Sequence, residues 1–474
     1  MDIRIILSLA FVGTIIIVLL EYGWDNDHFE IAGWGGKSTS IIVKTKRHIL
    51  RWEQTAFDRP TEEEQDAIQR SSDMSVHCVI IPRACVDYNN YIVAFDASYR
   101  RTGTLPDYIN NVRKRVRNVR VPEGNGDAFT GGGSILWSPT VRLVTTNEER
   151  PHLQNPVASE GRHAVVLYWD WEDNFAHTFY AVARMLTIYK DNNMLLNNTA
   201  DVLIPLTSEG AAVPSYVRRL LGILPHKEIM SVQEAINNGA ACYDRMHFCS
   251  VDSTDPPSLN PVAIFEVGQL VKGKYLGVDT AISGDSLTLA ASDGSLRPPR
   301  EFSRTNPLVV TIVNRPSRGI LNAEELMAVC NNSTLAEYLS CNLHNFGAEW
   351  VTDLRIAHTT DVLIGQHGAA LTNMLFLKPY SHVVEVRPCE YPAWLDGHFK
   401  TVSERAGFIL RFWIAYSQRE HCKPGPMEAM NIGESSVYAR DRSVLWPATA
   451  FIATLENILQ VERDGKFSNL YHIT

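Results

Sequence analysis

Short apolar runs alternate with stretches of helical apolar spacing along most of this 474-residue chain. Near-continuous apolar runs of strand length indicate strands buried on both faces, as in a parallel sheet covered by helices. Strands are predicted at 163–169, 201–206, 307–313, 361–365 and 381–386. Helices are predicted at 174–191, 215–224, 322–329, 348–358, 369–377 and 449–461. This alternation indicates the α/β class, with two Rossmann-like units in sequence.

Composition narrows the class of protein further. Apolar residues make up 45% of the chain and charged residues 20%, which is typical of a globular protein and not of a disordered one. The formal net charge is −9. Because nucleic-acid-binding proteins usually carry a basic face, we expect no nucleic acid among the partners.

The amino terminus predicts a membrane anchor. The run 5–20 is apolar, follows Arg4 and precedes several acidic residues, which is typical of a transmembrane signal anchor. The positive-inside rule places 1–4 in the cytoplasm as a tail and everything after the anchor in a lumen, with 21–75 as a stem. A cleaved signal peptide is the alternative, although no Ala-x-Ala site follows Leu20. We therefore expect a single-pass type II protein of the Golgi or endoplasmic reticulum membrane.

Cysteines and glycosylation sequons fit a lumenal location. The chain has eight cysteines, and in an oxidising lumen those close in sequence are candidates for disulfides. These candidate pairs are Cys78 with Cys85, Cys242 with Cys249, and Cys330 with Cys341. Buried free thiols are the alternative. Sequons at Asn197, Asn331 and Asn332 are candidate glycosylation sites.

The most informative motif is DVLIGQHGAALTNMLFLKP, in which a buried strand ends at a His-Gly-Ala turn and a helix begins at once. Gly368 and Ala369 leave the backbone open, and the first N–H groups of a helix are free donors that favour an anion. The motif therefore predicts a diphosphate site, with Thr372 and Asn373 as further donors and His367 against a phosphate or sugar oxygen. The alternative is a plain small-residue turn in which His367 only completes a hydrogen bond of the fold.

This segment resembles the signature of glycosyltransferase family 61. That signature joins a strand ending in Gly-x-His-Gly-Ala to a Leu-Thr-Asn helix, a proline and a strand ending in glutamate. The matching residues are Gly365, His367, Gly368, Ala369, Leu371, Thr372, Asn373, Pro379 and Glu385. The resemblance is strong over 305–390, moderate over 160–250 and negligible before 120. Tyr380 departs from the glycine that family members often have after the proline.

The resemblance implies a GT-B fold, in which two Rossmann-like domains face each other across a cleft. We expect an acceptor-side domain at 76–300, with the interdomain linker in its last fifty residues. A nucleotide-sugar-binding domain follows at 301–447, and a helix and tail at 448–474 close the chain. In open α/β sheets, ligands bind beyond the carboxyl ends of the strands, so the cleft holds the predicted site.

The resemblance also assigns donor-binding residues. Arg315 and Arg318 follow the strand at 307–313 and resemble the family's strand-then-arginine element, which is expected to bind the donor diphosphate. Glu385, at a strand end, is expected to hold the ribose hydroxyls. The implied reaction is an inverting transfer of a sugar from a UDP-sugar to a hydroxyl of a protein or polysaccharide acceptor. N-acetylglucosamine and xylose are the favoured sugars, and neither a metal nor another cofactor is expected.

The acceptor side is predicted around a second element. Asp173-Asn-Phe-Ala-His177 resembles the family's Asn-aromatic-x-His motif, although Ala176 stands where a second aromatic is common. Asn174 is therefore expected to face the acceptor. His177, Asp173 and Glu172 are the nominees for the general base. The alternative is that Asp173 or Asn174 only caps the following helix.

Other functions fit the sequence less well. A metal-dependent transferase would use an Asp-x-Asp element, but the literal match at 25–27 lies in the predicted stem and the one at 170–173 is imperfect. An oxidoreductase lacks the required Gly-x-Gly-x-x-Gly after a strand. A catalytically inactive binding paralogue of the same fold remains the main alternative.

Overall fold

A computed structural model describes the chain in segments. The described residues are 4–11, 14–21, 28–32, 38–42, 76–86, 91–95, 140–144, 157–169, 174–192, 200–204, 212–236, 241–251, 261–278, 300–391, 398–405, 410–425, 439–464 and 471–473. Glu172, Asp173 and Asn197 lie outside these ranges.

The strands and helices are numbered in chain order. The strands are β1 (Arg4–Phe11), β2 (Thr14–Glu21), β3 (His28–Ala32), β4 (Ser38–Ile42), β5 (Val76–Val86), β6 (Tyr91–Phe95), β7 (Thr140–Val144), β8 (Val157–Trp169), β9 (Ala200–Ile204), β10 (Ile229–Ser231), β11 (Ala241–Val251), β12 (Leu308–Val313), β13 (Leu339–His344), β14 (Val362–Gln366), β15 (His382–Arg387), β16 (Arg411–Tyr416), β17 (Cys422–Lys423), β18 (Ser443–Val444) and β19 (Tyr471–Ile473). The α-helices are α1 (Phe175–Asn192), α2 (Ser215–Leu221), α3 (Val232–Ile236), α4 (Pro261–Leu276), α5 (Ala323–Asn332), α6 (Trp350–Thr359), α7 (Lys400–Arg405) and α8 (Ala448–Asp464). The 3₁₀ helices are Thr334–Glu337, Ala369–Phe376 and Arg419–His421.

The second half of the chain builds a six-stranded parallel sheet with the order β13-β12-β14-β15-β16-β19. The chain moves from β12 to one edge through β13 and then returns to the other side through β14. The strand order therefore reverses between β12 and β14. In sheets of this kind, the crevice beyond the carboxyl ends of the strands at that switch point is where ligands bind.

Both faces of this sheet are covered, as the apolar runs predict. On β14 the alternation sends Leu363 to one hydrophobic core, and Val362 and Ile364 to the other. Helices α5 and α8 cover the second face. The α/β class and the predicted parallel sheet are confirmed.

The first half of the chain builds a seven-stranded mixed sheet with the order β10-β9-β8-β11-β5-β6-β7. Neighbouring strands are parallel within the part β10-β9-β8-β11 of this sheet. Strand β5 pairs antiparallel with both β11 and β6. Helix α1 follows β8, and its bounds, Phe175–Asn192, differ by one residue at each end from the predicted helix 174–191.

The two halves share one continuous hydrophobic core. Helices α1 and α4, from the first half, pack directly on the 3₁₀ helix Ala369–Phe376 of the second. Phe175 and Phe179 of α1 place their rings 6.3 and 5.7 Å from that of Phe376. The predicted cleft between two GT-B domains is therefore not confirmed by the described residues.

Helix α4 lies within 250–300, where the sequence predicts the interdomain linker. This helix buries Ile264, Phe265, Val267 and Val271, and Gly268 lies against the carbonyl of Leu375. The segments on either side of this helix are rich in serine, aspartate, glycine and proline, which favour loops. The apolar spacing of the helix was therefore not recognised in the sequence. Lys272 of α4 donates to the Leu377 carbonyl at 3.0 Å, where a cation suits the end of a helix. Burial lowers the pKa of Lys272 to about 8.

The amino-terminal run 5–20 differs from its predicted single helix. The structure forms β1 and β2 there, paired antiparallel with Arg4 opposite Glu21. Isoleucine and valine dominate β2, and β-branched side chains favour strands. No helix in the described ranges is long and apolar enough to cross a membrane.

Three disulfides have both cysteines described, and two sequence-based pairings are wrong. Cys85 bonds Cys242, because the antiparallel register of β5 and β11 places them opposite each other. Cys249 is disulfide-bonded too. The predicted bridge between Cys330 and Cys341 is confirmed, and the remaining bridge joins the cysteines at 389 and 422.

Disulfide mapping tests this connectivity. Proteolysis of the oxidised protein under non-reducing conditions should yield one linked peptide pair that carries Cys85 and Cys242. Removing that bridge should lower the free energy of unfolding by about 2–5 kcal/mol, because it closes a long loop of the unfolded chain. A peptide in which Cys85 is bonded to Cys78 would contradict the register of β5 and β11.

Gly268→Ala tests the contact between α4 and the 3₁₀ helix. A Cβ at this position would lie 2.1 Å from the Leu375 carbonyl oxygen, so the two helices must move apart. We expect a loss of about 1–3 kcal/mol in the free energy of unfolding, measured in urea. Leu270→Ala on the same helix is the control, since Leu270 is 36% exposed and should matter little. Equal stability of the two variants would argue against the close approach.

Candidate functional site

The site forms at the switch point of the parallel sheet. Arg315 comes two residues after β12, and His367 and Gly368 come directly after β14. These two strands are neighbours and run parallel, so their carboxyl ends meet at one edge of the sheet. The structure thus brings together the arginine and the His-Gly-Ala turn that the sequence motifs singled out separately.

Arg315 lies against the backbone of Gly368. A Cβ on Gly368 would come 2.4 Å from Nη1 of Arg315, and the φ angle of Gly368 is 149°, so only glycine suits this turn. Nη1 is buried and has no hydrogen-bond partner within the described ranges. Burial and the nearby Arg318 lower the pKa of Arg315 to about 10. A buried guanidinium nitrogen without an acceptor suits an anionic ligand.

The start of the 3₁₀ helix supplies further donors next to this arginine. Its first backbone hydrogen bond runs from the N–H of Leu371 to the carbonyl of Gly368 at 2.9 Å. The N–H groups of Ala369 and Ala370 precede that bond and so have no acceptor within the helix. The predicted helix is therefore a 3₁₀ helix, but its free amino-terminal donors are present as the anion site requires.

Arg318 differs from Arg315 in its surroundings. Its Nη1 donates to Oδ1 of Asp441 at 3.1 Å in a partly exposed ion pair. Arg318 also has a φ angle of 50°, a left-handed conformation that is unusual for a residue other than glycine. Of the two predicted diphosphate ligands, Arg315 is the one that forms no ion pair within the described ranges.

His367 is held by a buried chain of charged groups. Its Nδ1 lies 2.6 Å from Oε1 of Glu385, whose side chain is wholly buried. Arg387 bonds the other carboxylate oxygen through Nε at 2.8 Å and Nη2 at 2.7 Å. The predicted ribose ligand Glu385 thus has both oxygens engaged inside the protein. Glu385 and Arg387 share one face of β15 because they are two residues apart.

Aromatic side chains surround this chain of groups. The Tyr391 hydroxyl lies 2.7 Å from Nδ1 of His367, and its ring centroid is 5.1 Å from the imidazole. The ring of Phe399 lies 5.2 Å from the same imidazole. The guanidinium of Arg387 lies 4.9 Å from the Tyr391 ring and donates to the hydroxyl of Tyr416. These contacts fix the plane of the imidazole.

Two hydroxyls near the site have no partner in the described part of the chain. Oγ1 of Thr372 and the hydroxyl of Tyr180, on α1, are both buried and unpartnered. Burial and the charge of Glu385 raise the pKa of Tyr180. The other predicted donor, Asn373, uses Nδ2 to bond the carbonyl of Ala370 at 2.8 Å, within its own helix.

The predicted acceptor side is only partly described. Oδ1 of Asn174 accepts from the N–H of Ala176 at 3.0 Å, so Asn174 caps α1 as the alternative interpretation stated. His177 is half-buried in the first turn of α1. The nominees Glu172 and Asp173 lie outside the described residues.

The two overlapping sequons differ in their surroundings. Asn331 donates to the carbonyl of Cys341 and accepts from its N–H, at 2.9 and 3.0 Å. The side chain of Asn332 donates to the carbonyl of Ala328 on the same helix. The side chain of Asn331 is thus bonded to β13, whereas that of Asn332 is bonded within its own helix.

No group of three or more histidine, cysteine or acidic side chains within the described ranges is arranged to hold a metal ion.

Comparison with known proteins finds a family match over one segment of the chain. Residues 285–384 match the model of the family described as Glycosyltransferase 61. The matched range contains Arg315 and the whole turn from His367 to Ala369. This segment of the chain therefore matches glycosyltransferase family 61, and the resemblance seen in the sequence is confirmed.

Individual relatives are similar to this chain over part of its length. The EGF domain-specific O-linked N-acetylglucosamine transferase of Rattus norvegicus is 36% identical over 93 residues, which are 19% of this chain and 18% of that protein. The protein of the same name from Drosophila melanogaster is 28% identical over 134 residues, 27% of this chain and 24% of that protein. Alpha-1,3-arabinosyltransferase XAT3 of Oryza sativa subsp. japonica is 23% identical over 147 residues, 31% and 22% of the two chains. The chain thus spans less than a quarter of the length of these relatives.

Sequence reasoning missed several residues of the site. Arg387 lies two residues after Glu385 on β15 and therefore on the same face of the strand. This two-residue spacing is the sequence signal that could have identified Arg387 as a partner of Glu385. Tyr391, Tyr180 and Asp441 carry no motif, because only the packing of distant segments brings them to the site.

Gly368→Ala tests the contact between the turn and Arg315. The added methyl group should displace the guanidinium and strain the backbone, with a loss of about 1–3 kcal/mol in stability and of nucleotide binding. Gly347→Ala is the matched control, since Gly347 also has a positive φ, 108°, but a methyl group added there would have nothing within 4 Å. Calorimetric titration with UDP should show weaker binding only in the first variant. Equal UDP affinity in both variants would contradict the arrangement.

Proposed function

We propose that this protein is a glycosyltransferase that moves a sugar from a UDP-sugar to a hydroxyl of a protein or polysaccharide acceptor, with inversion at the anomeric carbon. The observation that carries the proposal is the buried, unpartnered Nη1 of Arg315 against Gly368, within the segment that matches glycosyltransferase family 61. A diphosphate supplies the acceptor oxygens that this nitrogen and the free N–H groups of Ala369 and Ala370 lack.

The names of the relatives support a choice of sugar. One is an N-acetylglucosamine transferase and the other an arabinosyltransferase. We therefore propose a hexosamine such as N-acetylglucosamine, or a pentose such as xylose, as the transferred group. We also propose a GT-B arrangement of the two halves. In this arrangement the donor binds at the switch point of the second sheet, and the acceptor binds on the side of α1.

The proposed reaction is a single displacement. The acceptor oxygen forms a bond to the anomeric carbon while the bond from that carbon to the diphosphate oxygen breaks. The acceptor proton passes to a general base, for which His177, Asp173 and Glu172 remain the nominees. Negative charge grows on the departing UDP, and Arg315 with the helix amino terminus stabilises it. In this proposal these protein donors serve where other transferases use a metal ion.

We place the proposed reaction in the secretory pathway. The disulfides of the described residues support an oxidising compartment, as do the sequons at Asn197, Asn331 and Asn332. A single-pass anchor is supported by the apolar composition of 5–20 alone. No helix among the described elements is long and apolar enough to span a membrane.

Turnover of nucleotide sugars by the full chain tests the proposal. Nucleotide release should be seen with one UDP-sugar in a panel of UDP- and GDP-sugars and should persist in EDTA. Arg315→Ala should lower kcat/KM about a hundredfold or more, because it removes the cation at the leaving group. Arg355→Ala is the control, since Arg355 is an exposed arginine of α6. Nucleotide binding without turnover would support an inactive paralogue, and no binding would overturn the donor site.

A further inference from the structure

The chain of groups behind His367 fixes where the imidazole carries its proton. Oε2 of Glu385 accepts two bonds from Arg387, so this carboxylate faces its neighbours as a hydrogen-bond acceptor. Oε1 is therefore an acceptor, and the nitrogen 2.6 Å away must be a donor. In the neutral ring the proton is thus on Nδ1, and Nε2 holds a lone pair.

Nε2 is the atom that the protein leaves for a ligand. Within the described part of the chain, no group hydrogen-bonds to it. His367 immediately precedes Gly368, so the residue that carries this nitrogen lies in the same turn as the anion site. The rings of Tyr391 and Phe399 pack against the imidazole and restrict its rotation.

In the neutral ring with its proton on Nδ1, Nε2 can accept a hydrogen bond from a hydroxyl but not from an ionised phosphate. An ionised phosphate oxygen only accepts hydrogen bonds, as does an unprotonated Nε2, so the two cannot pair. A sugar hydroxyl donates, and it satisfies the lone pair. We infer that His367 is a specificity-determining residue that accepts a hydrogen bond from a hydroxyl of the bound nucleotide sugar, and that Glu385 is the positioning residue that holds it in the accepting tautomer. The inference rests on the proposed function and revises the predicted contact between Glu385 and the ribose.

The hydroxyl belongs either to the ribose or to the transferred sugar, and two sets of analogues separate these sources. The first set is UDP with the 2′- or 3′-hydroxyl replaced by hydrogen or fluorine. The second is UDP-N-acetylglucosamine with the 3-, 4- or 6-hydroxyl replaced in the same way. Fluorine accepts but cannot donate, so at the recognised position both replacements should weaken binding about tenfold.

Glu385→Gln provides a readout that a purely structural role would not move. Arg387 requires an acceptor, so the amide oxygen should face Arg387 and the NH₂ group should donate to Nδ1 of His367. The imidazole proton then moves to Nε2, which becomes a donor. The fluorine analogue should now bind within about threefold of the parent, while the hydrogen analogue stays weak.

The chain offers a matched control. His382, Glu462 and Arg411 form a second buried His-Glu-Arg cluster at the amino-terminal ends of β15 and β16. Glu462→Gln should lower stability as Glu385→Gln does but keep the discrimination against fluorine. If Glu385→Gln does not fold, His367→Ala serves instead, and it should bind the parent and both analogues of the recognised position equally.

The outcomes separate this inference from the proposed function. Failure of the wild-type protein to bind UDP overturns the proposed function. Binding of UDP with no position at which both replacements weaken binding overturns the inference alone. An unchanged preference for hydroxyl over fluorine in Glu385→Gln, or in His367→Ala, overturns it as well.

Discussion

The close approach of Arg315 to Gly368 is the contact on which the site depends. A guanidinium can sit at the mouth of the turn only because Gly368 has no Cβ and adopts a φ of 149°. The glycine therefore sets the position of the charge as well as the path of the chain. Desolvation makes this arrangement costly when it is empty, since the buried Nη1 has no acceptor among the described residues. A ligand that supplies an anionic oxygen removes that cost, which couples binding to the stability of the turn.

The position of this contact follows from the topology of the sheet. Because the strand order reverses between β12 and β14, the chain leaves the two strands in opposite directions and a crevice opens between them. Helices α1 and α4 of the first half then pack against the 3₁₀ helix that follows the turn. The helix that carries the free N–H groups is thus held by the sheet on one side and by the other half of the chain. Gly268 makes this possible by admitting the Leu375 carbonyl.

Local patterns in the sequence predict the elements of the site, whereas distant contacts cannot be predicted from them. The apolar run before His367 and the small residues after it are enough for the strand, the turn and the helix. The predicted partner of Cys85 is wrong because pairing across 157 residues depends on the register of β5 and β11. The surroundings of Glu385 also depend on contacts that its own segment does not predict. A strand end suggests an exposed carboxylate, but Arg387 and His367 occupy both of its oxygens.

The same chemistry occurs twice on β15, with different surroundings at its two ends. His382 begins the strand, and both of its ring nitrogens have partners, Nε2 with Glu462 at 3.1 Å and Nδ1 with Trp413 at 2.9 Å. His367 lies beyond the carboxyl end of the neighbouring strand, and its Nε2 has no partner among the described residues. A buried His-Glu-Arg cluster is therefore not by itself a sign of function. In the proposed donor site, the cluster that contributes to recognition is the one whose histidine keeps one nitrogen unused among the described residues, at the carboxyl end of the sheet.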